Sequence, residues 1–340
     1  MKAMVLKEVL PIEKEPLEMI DLPDPAPGPK EILVKVCACG VCHTELDEIE
    51  GRIQPRLPIV LGHEVVGKVK SLGTEAKKFS LDDRVGIAWI NSSCGKCYFC
   101  QMGNENLCRE FKATGCHVNG GYAQYTVVSE DFAYWIPERF SDSEAAPLLC
   151  AGAIGYRDLR LSGIQSGQTL GLFGFGASAH IVIQLAKYWG YEVFVFTRSE
   201  EHRNLAKKLG ASWTGGSDDE PPKKLHCAID FTPIGETVPT ALKFLEKGGR
   251  LVIAVIRKRN PIPPMDYAQL LWEEKEIKSV ANITREDVQD FLPLAAKIPI
   301  IPEVQEFELR EANKALILLK QGKIQGAGVL KIPDSCDSME

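Results

Sequence analysis

Through the first 150 positions, apolar residues come in short alternating or continuous runs. MKAMVL and EILVKVCA have the length and pattern of strands that bury one or both faces in a sheet. The proline-rich DLPDPAPGPKE between them is a surface turn that ends one strand and starts the next. CGVCHTELDEIEG predicts a turn leading into a short helix. IVLGHEVVGKVKSLG predicts a hairpin-like pair of strands bent at its glycines. DDRVGIAW predicts a further strand, and GGYAQYTVVSEDFAYWIP is again β-rich.

The texture changes after Pro147. LLCAGAIGYRDLRLSG has helical character. QTLGLFGFGASAHIVIQLAKYWGYEVFVFTRS then gives strand, glycine turn, helix and strand, the helix carrying apolar residues at i, i+3 and i+4. EEHRNLAKKLG is a second helix closed by Gly210. LHCAIDF, TVPTALKFLEKGG and RLVIAVI add strand, helix and strand. Such alternation predicts an α/β unit with a parallel, doubly wound sheet. From about residue 286, REDVQDFLPLAAK and LREANKALILLKQG are helical and VLKIP closes as a strand.

A length of 340 residues favours about two domains. With 45% apolar and 25% charged residues, the chain has the composition of an ordinary globular protein. A net charge of −6 and only short basic runs (KKLH, RKR) exclude a nucleic-acid surface. No apolar run approaches the roughly 18 residues that span a bilayer. MKAMVLKEVLP has neither the apolar stretch nor the cleavage site of an export signal. Eleven cysteines, several at metal spacing, then point to a reducing cytoplasm.

Four of those cysteines, Cys94, Cys97, Cys100 and Cys108, lie in CGKCYFCQMGNENLC with the spacing C-x2-C-x2-C-x7-C. Thiolates are soft ligands, and four of them close a tetrahedron around zinc with no open position. Gly95 and Gly103 supply the loose backbone that such a lobe needs. Free buried thiols or paired disulfides are the bland alternative, and two-residue gaps suit a shared metal better. Cys37, Cys39, Cys116, Cys227 and Cys336 are left over once two more, below, are given to a second site. Cys37 and Cys39 follow a strand pattern, which suits small buried residues.

Gly174, Gly176 and Ala179 form G-x-G-x-x-A between an apolar strand and a helix. The first glycine permits the tight turn, the second lets the backbone approach a pyrophosphate, and the alanine permits close helix–strand packing. At the end of the second strand there is no acid for the ribose hydroxyls of NAD. Thr197, Arg198 and Ser199 stand there instead. A guanidinium flanked by hydroxyls suits the 2′-phosphate of NADP. Alternatively, Arg198 is merely exposed and either cofactor binds.

Candidate ligands for an open metal site are Cys42 and His43, His63 and Glu64, and Cys150. Cys42, His63 and Cys150 make a Cys2His set, which leaves one zinc position free to polarise an alcohol or aldehyde oxygen. Singly each is weak: Cys150 beside Leu149 suits a core, and His63 beside Gly62 suits a strand end.

Together GHEVVGKVKSLGTEA, GVCHT, the four-cysteine lobe, CAG and the glycine turn give the chain its resemblance. It resembles the zinc-containing, medium-chain alcohol dehydrogenase family from its first strand to about residue 332. The resemblance implies a GroES-like β-barrel catalytic domain, with the structural lobe at 94–108, over residues 1–151. It implies a Rossmann dinucleotide domain over 152–285, and a return to the catalytic domain over 286–340, with the active site in the cleft between domains. It implies two zinc ions per chain, one catalytic and one structural, with NADP or NAD as cofactor. Cys42, His63 and Cys150 match the catalytic ligands, and Glu64 a nearby carboxylate able to approach or replace one. Glu45, one methylene longer than the usual Asp, matches the partner that orients the ligand histidine. Thr44 matches the hydroxyl that takes the alcohol proton, His43 a pyrophosphate contact, and Trp89 a residue lining the substrate pocket.

Three positions depart from the family pattern. Asp47 stands where many relatives have a histidine that passes the proton onward; an Asp could relay through water, as a poorer acceptor at neutral pH. Ile154 replaces a Thr near the nicotinamide, and Ala327 an Arg near the cofactor phosphates. The expected activity is reversible oxidation of a primary or secondary alcohol with NADP favoured. The alternatives are a polyol or thiol-adduct dehydrogenase, or a non-catalytic zinc and nucleotide sensor. The resemblance also implies a homodimer or homotetramer, with RLVIAVI near the sheet edge adding across a two-fold axis.

Overall fold

The computed structural model describes residues 1–298 and 300–333; Cys336 lies outside them. The chain divides into two compact units. One comprises Met1–Cys150, Ile283–Ala296 and the chain from Ile301 onward; the other comprises Ala151–Asn282 and Lys297–Ile300.

In the first unit, the strand Glu31–Val41 is the spine. It pairs antiparallel with Val65–Leu72, Tyr125–Ser129 and Ala327–Lys331, so both of its edges are filled. Arg84–Ile87 and Ala133–Trp135 extend the sheet on one side, and Val304–Glu308 extends it on the other. A separate three-stranded sheet runs in the order Leu17–Asp21, Lys2–Leu6, Ile59–Val60. Ile32, Val34, Val65, Val85, Ile87 and Tyr122 fill the core between these layers. Apolar area removed from water drives this closure at about 25 cal/mol per Å².

The expected hairpin over IVLGHEVVGKVKSLG does not form. Ile59–Val60 pairs with Lys2–Leu6, whereas Val65–Leu72 pairs with Glu31–Val41 and Arg84–Ile87. The chain crosses between two sheets through Leu61–Glu64 instead of reversing. Gly62 makes that crossing possible: its φ is +95°, and a Cβ there would lie 2.4 Å from the Tyr122 ring.

The second unit has six parallel strands in the order Trp213–Gly215, Glu192–Phe196, Thr169–Phe173, Leu225–Asp230, Leu245–Ile253, Glu276–Ser279. Helix Ala151–Ser162 leads into Thr169–Phe173, and helices Ala177–Tyr188, Glu200–Lys208 and Thr237–Phe244 lie in the connections between the strands. This is the doubly wound order, and its switch point lies between Thr169–Phe173 and Leu225–Asp230. Phe173 and Phe196 stack with centroids 4.2 Å apart beneath the strand ends. RLVIAVI lies near the sheet edge: it runs within or just past Leu245–Ile253, one strand in from Glu276–Ser279, whose four residues are all exposed. Among the described residues, no helix is long and apolar enough to cross a membrane.

Candidate metal centres and nucleotide site

Cys42 stands where the spine strand ends and the helix His43–Ile49 begins. His63 and Glu64 come from the crossing between sheets, and Cys150 follows the short helical run Ala146–Leu149. One donor atom from each of Cys42, His63, Glu64 and Cys150 lies within 4.8 Å of all the others. Ligands of a tetrahedral zinc with bonds of about 2.0–2.3 Å are separated by roughly 3.3–3.8 Å, so small side-chain adjustments close the set. Gly40 makes room for it: a Cβ there would fall 1.9 Å from Glu64 Oε2.

The chemistry of the donors fits a cation. His63 is buried, and its Nε2 has no hydrogen-bond partner among the described residues. A hydrogen bond from Cys150 holds the Cys42 thiol well below its ordinary range, against its burial. That same hydrogen bond and burial push Cys150 well up. Burial, then the Cys42 charge, pushes Glu64 well up too. Acids crowded in a dry site hold protons that a dication would displace.

Behind the ligands, His63 Nδ1 lies 2.6 Å from Glu45 Oε1. The other Glu45 oxygen accepts the backbone N–H of Cys42 at 2.8 Å. One carboxylate therefore fixes two candidate ligands: it caps the helix at Cys42 and sets the ring orientation of His63. Thr44 is buried, its Oγ1 3.6 Å from Cys42 Sγ. Asp47 is ion-paired with Arg52. His43 is exposed at the start of the helix. Trp89 is half-buried with its ring centroid 5.1 Å from that of Phe111.

The lobe also has the geometry of a metal centre. The four sulfur atoms of Cys94, Cys97, Cys100 and Cys108 lie within 4.8 Å of one another. Gly95 and Gly103 both take positive φ at its bends. The backbone N–H groups of Lys96 and Cys97 pull the Cys94 thiol down to about 7, which favours the thiolate a metal needs. Glu105 docks the lobe by accepting from the backbone and the guanidinium of Arg285, at 2.7 and 3.1 Å.

In the second unit Gly174 takes φ +84°, and its N–H bonds Phe196 O at 2.8 Å. Among the described residues, a Cβ on Gly176 would meet nothing within 4 Å, and no side chain caps the helix Ala177–Tyr188. The turn thus offers open space before uncapped N–H groups, the arrangement a phosphate fits. Ala179 is buried where the helix meets the sheet. At the neighbouring strand end Thr197 is buried and Arg198 exposed, while Ser199 Oγ caps the next helix by accepting from His202 N–H.

Several residues at these sites escape sequence reasoning. Arg203 Nη1 reaches back to Thr197 O at 2.8 Å and Arg198 O at 3.2 Å, placing a second guanidinium at this corner. Its position, one helical turn past Ser199, is the signal that would have found it. Phe111 and Gly40 carried no signal, because each acts through a partner distant in sequence.

Comparison with known proteins gives the chain its family. Residues 28–138 match the alcohol dehydrogenase GroES-like domain, and residues 179–297 match the zinc-binding dehydrogenase domain. The chain is 44% identical over 338 residues to a probable alcohol dehydrogenase, AdhA, of Mycobacterium tuberculosis, covering 98% of this chain and 97% of that one. It superposes on an NAD-dependent alcohol dehydrogenase with a TM-score of 0.90 at 26% identity, covering 98% of this chain and all (100%) of that one. It also superposes on a putative zinc-binding dehydrogenase from Sinorhizobium meliloti bound to NADP, with a TM-score of 0.86 at 26% identity over 97% and 98% of the two chains. The chain belongs to the zinc-containing medium-chain alcohol dehydrogenase family and is a zinc-dependent oxidoreductase.

Proposed function

We propose that the chain interconverts primary or secondary alcohols with aldehydes or ketones, using NADP in preference to NAD. The observation that carries the reading is the Cys42–His63–Cys150 set with Glu45 locked behind it. When bound, zinc polarises the substrate oxygen and the nicotinamide carries the hydride. The protein's own part is orientation and proton handling. Cys42, His63 and Cys150 hold the metal, and Glu64 stands by as a fourth donor. Glu45 keeps the His63 ring in the tautomer that leaves Nε2 free for the metal. The Thr44 hydroxyl takes the alcohol proton, placed beside Cys42 on the first turn of the helix. Asp47 has no part in this step, since Arg52 already holds its carboxylate. Trp89 and Phe111 form an aromatic wall suited to small or flat substrates.

In the second unit, the uncapped turn at Gly174 and Gly176 binds the pyrophosphate. Arg198 and Arg203 provide two cations for a 2′-phosphate, and the strand end offers no acid to repel it. We further propose that the chain self-associates through the exposed edge strand Glu276–Ser279. Light scattering coupled to size exclusion tests this: a dimer or tetramer is expected, and a monomer contradicts it. The cofactor reading is tested by steady-state aldehyde reduction with NADPH and NADH. A lower KM for NADPH is expected, and a lower KM for NADH overturns the preference.

A further inference from the structure

A charge pair that the chemistry above does not use lies at the carboxyl end of the parallel sheet. Asp230 ends the strand Leu225–Asp230 and is fully buried. Lys258, in the connection that follows Leu245–Ile253, reaches it with Nζ 2.6 Å from Oδ2. The same ammonium donates to Thr232 O at 2.7 Å. Asp230 Oδ1 accepts from the Thr232 N–H at 2.8 Å and from its hydroxyl at 2.7 Å. Thr232 Oγ1 is also 2.9 Å from Thr237 Oγ1. Two further hydrogen bonds reinforce this joint between two loops. Arg259 N–H donates to Pro233 O at 2.7 Å, and Gly235 N–H donates to Asn260 Oδ1 at 3.2 Å. The chains approach so closely that a Cβ on Gly235 would lie 2.3 Å from Pro261 O.

The joint sits beside the glycine turn. Phe173 and Asp230 are partners in the sheet, and a Cβ on Gly174 would fall 3.2 Å from Thr232 Cγ2. Thr232 therefore forms one wall of the space in which the turn lies. A buried ion pair adds little net stability compared with well-packed apolar side chains, because both charges lose water. What it does supply is a fixed geometry between two loops, the first of which leaves Leu225–Asp230 beside the switch point of the sheet, where open α/β sheets bind ligands.

We propose that Lys258 is a positioning residue for the dinucleotide: through Asp230 and the Thr232 carbonyl it clamps the two loops together and holds Thr232 against the turn at Gly174. The proposal rests on the nucleotide reading given above. Its effect is indifferent to the 2′-phosphate. Arg198 follows Glu192–Phe196, on the other side of Thr169–Phe173 from Asp230.

The test is equilibrium binding of NADPH and NADH, by calorimetry, to zinc-replete wild type, Lys258→Met and the double variant Asp230→Asn/Lys258→Met. The single variant leaves a buried acid without its cation, so its melting temperature falls. The double variant removes the orphaned charge and recovers melting temperature. Expected is a loss of affinity of about tenfold in both variants, equal for the two dinucleotides, that persists in the double variant. Affinity that returns with the melting temperature, or never falls, overturns the proposal and leaves a purely structural pair. If the single variant fails to fold, the double variant decides alone. Wild-type protein that binds neither dinucleotide overturns the nucleotide reading, and this proposal with it.

Discussion

His63 Nδ1 and Glu45 Oε1 lie 2.6 Å apart, and both side chains are withdrawn from water. The extra methylene of Glu45 does not spoil the contact, because the carboxylate is anchored from its other oxygen by the N–H of Cys42. Replacing Glu45 with Gln exchanges an ion-strength acceptor for a weaker one. Loss of such a partner costs about 10–100-fold in metal affinity or activity. Zinc retained after dialysis against a competing chelator, read beside kcat, measures it. Retention equal to wild type would show that His63 is oriented by something else.

The proton step separates two neighbours on one helix. Thr44→Val removes the hydroxyl while keeping the shape, and kcat is expected to fall about 10²–10⁴-fold with zinc content unchanged. Thr44→Ser should restore most of the rate. Asp47→Asn should change kcat by less than about threefold, because the Arg52 ion pair is only partly buried and such pairs contribute little. A large loss in Asp47→Asn would return this residue to the relay.

At the strand end, Arg198→Ala is expected to raise the KM for NADPH about 10–100-fold and to leave that for NADH nearly unchanged, since hydrogen bonds to charged groups contribute about 1.5–3 kcal/mol. Arg203→Ala should act in the same direction more weakly, because that guanidinium also holds Thr197 O and Arg198 O. Equal losses for both dinucleotides would place the effect at the pyrophosphate instead.

In the lobe, Cys108→Ser removes a buried ligand from a closed set. Metal analysis should show one zinc lost, and the melting temperature should fall, since structural zinc contributes directly to folding. The Glu105–Arg285 contact carries the loss into the helix Arg285–Lys297. An unchanged melting temperature would mean that the lobe folds without its metal.

Much of this site is local in sequence and could be read there. Cys42 with Thr44 and Glu45 lies on one turn, His63 with Glu64 on one bend, and the four lobe cysteines within fifteen residues. The glycine turn is equally local, since a strand, two glycines and a helix occur in succession. What stayed hidden depends on partners far apart in the chain. The hairpin expected before Val65 failed because strand pairing is decided by which sheet has a free edge, and Lys2–Leu6 offered one. The short Glu276–Ser279, which forms the edge beyond RLVIAVI, carries no strand pattern of its own and is not read from the sequence. Asp230 and Lys258 are 28 residues apart, and neither carries a motif.

The most direct measurement is the initial rate of reduction of a short aliphatic aldehyde and of benzaldehyde, with NADPH or NADH, on protein of measured zinc content beside its Cys150→Ser variant. Turnover by protein holding about two zincs per chain, faster with NADPH and abolished in the variant, is the predicted result. No turnover with either dinucleotide in zinc-replete protein, or equal turnover in the variant, would contradict it.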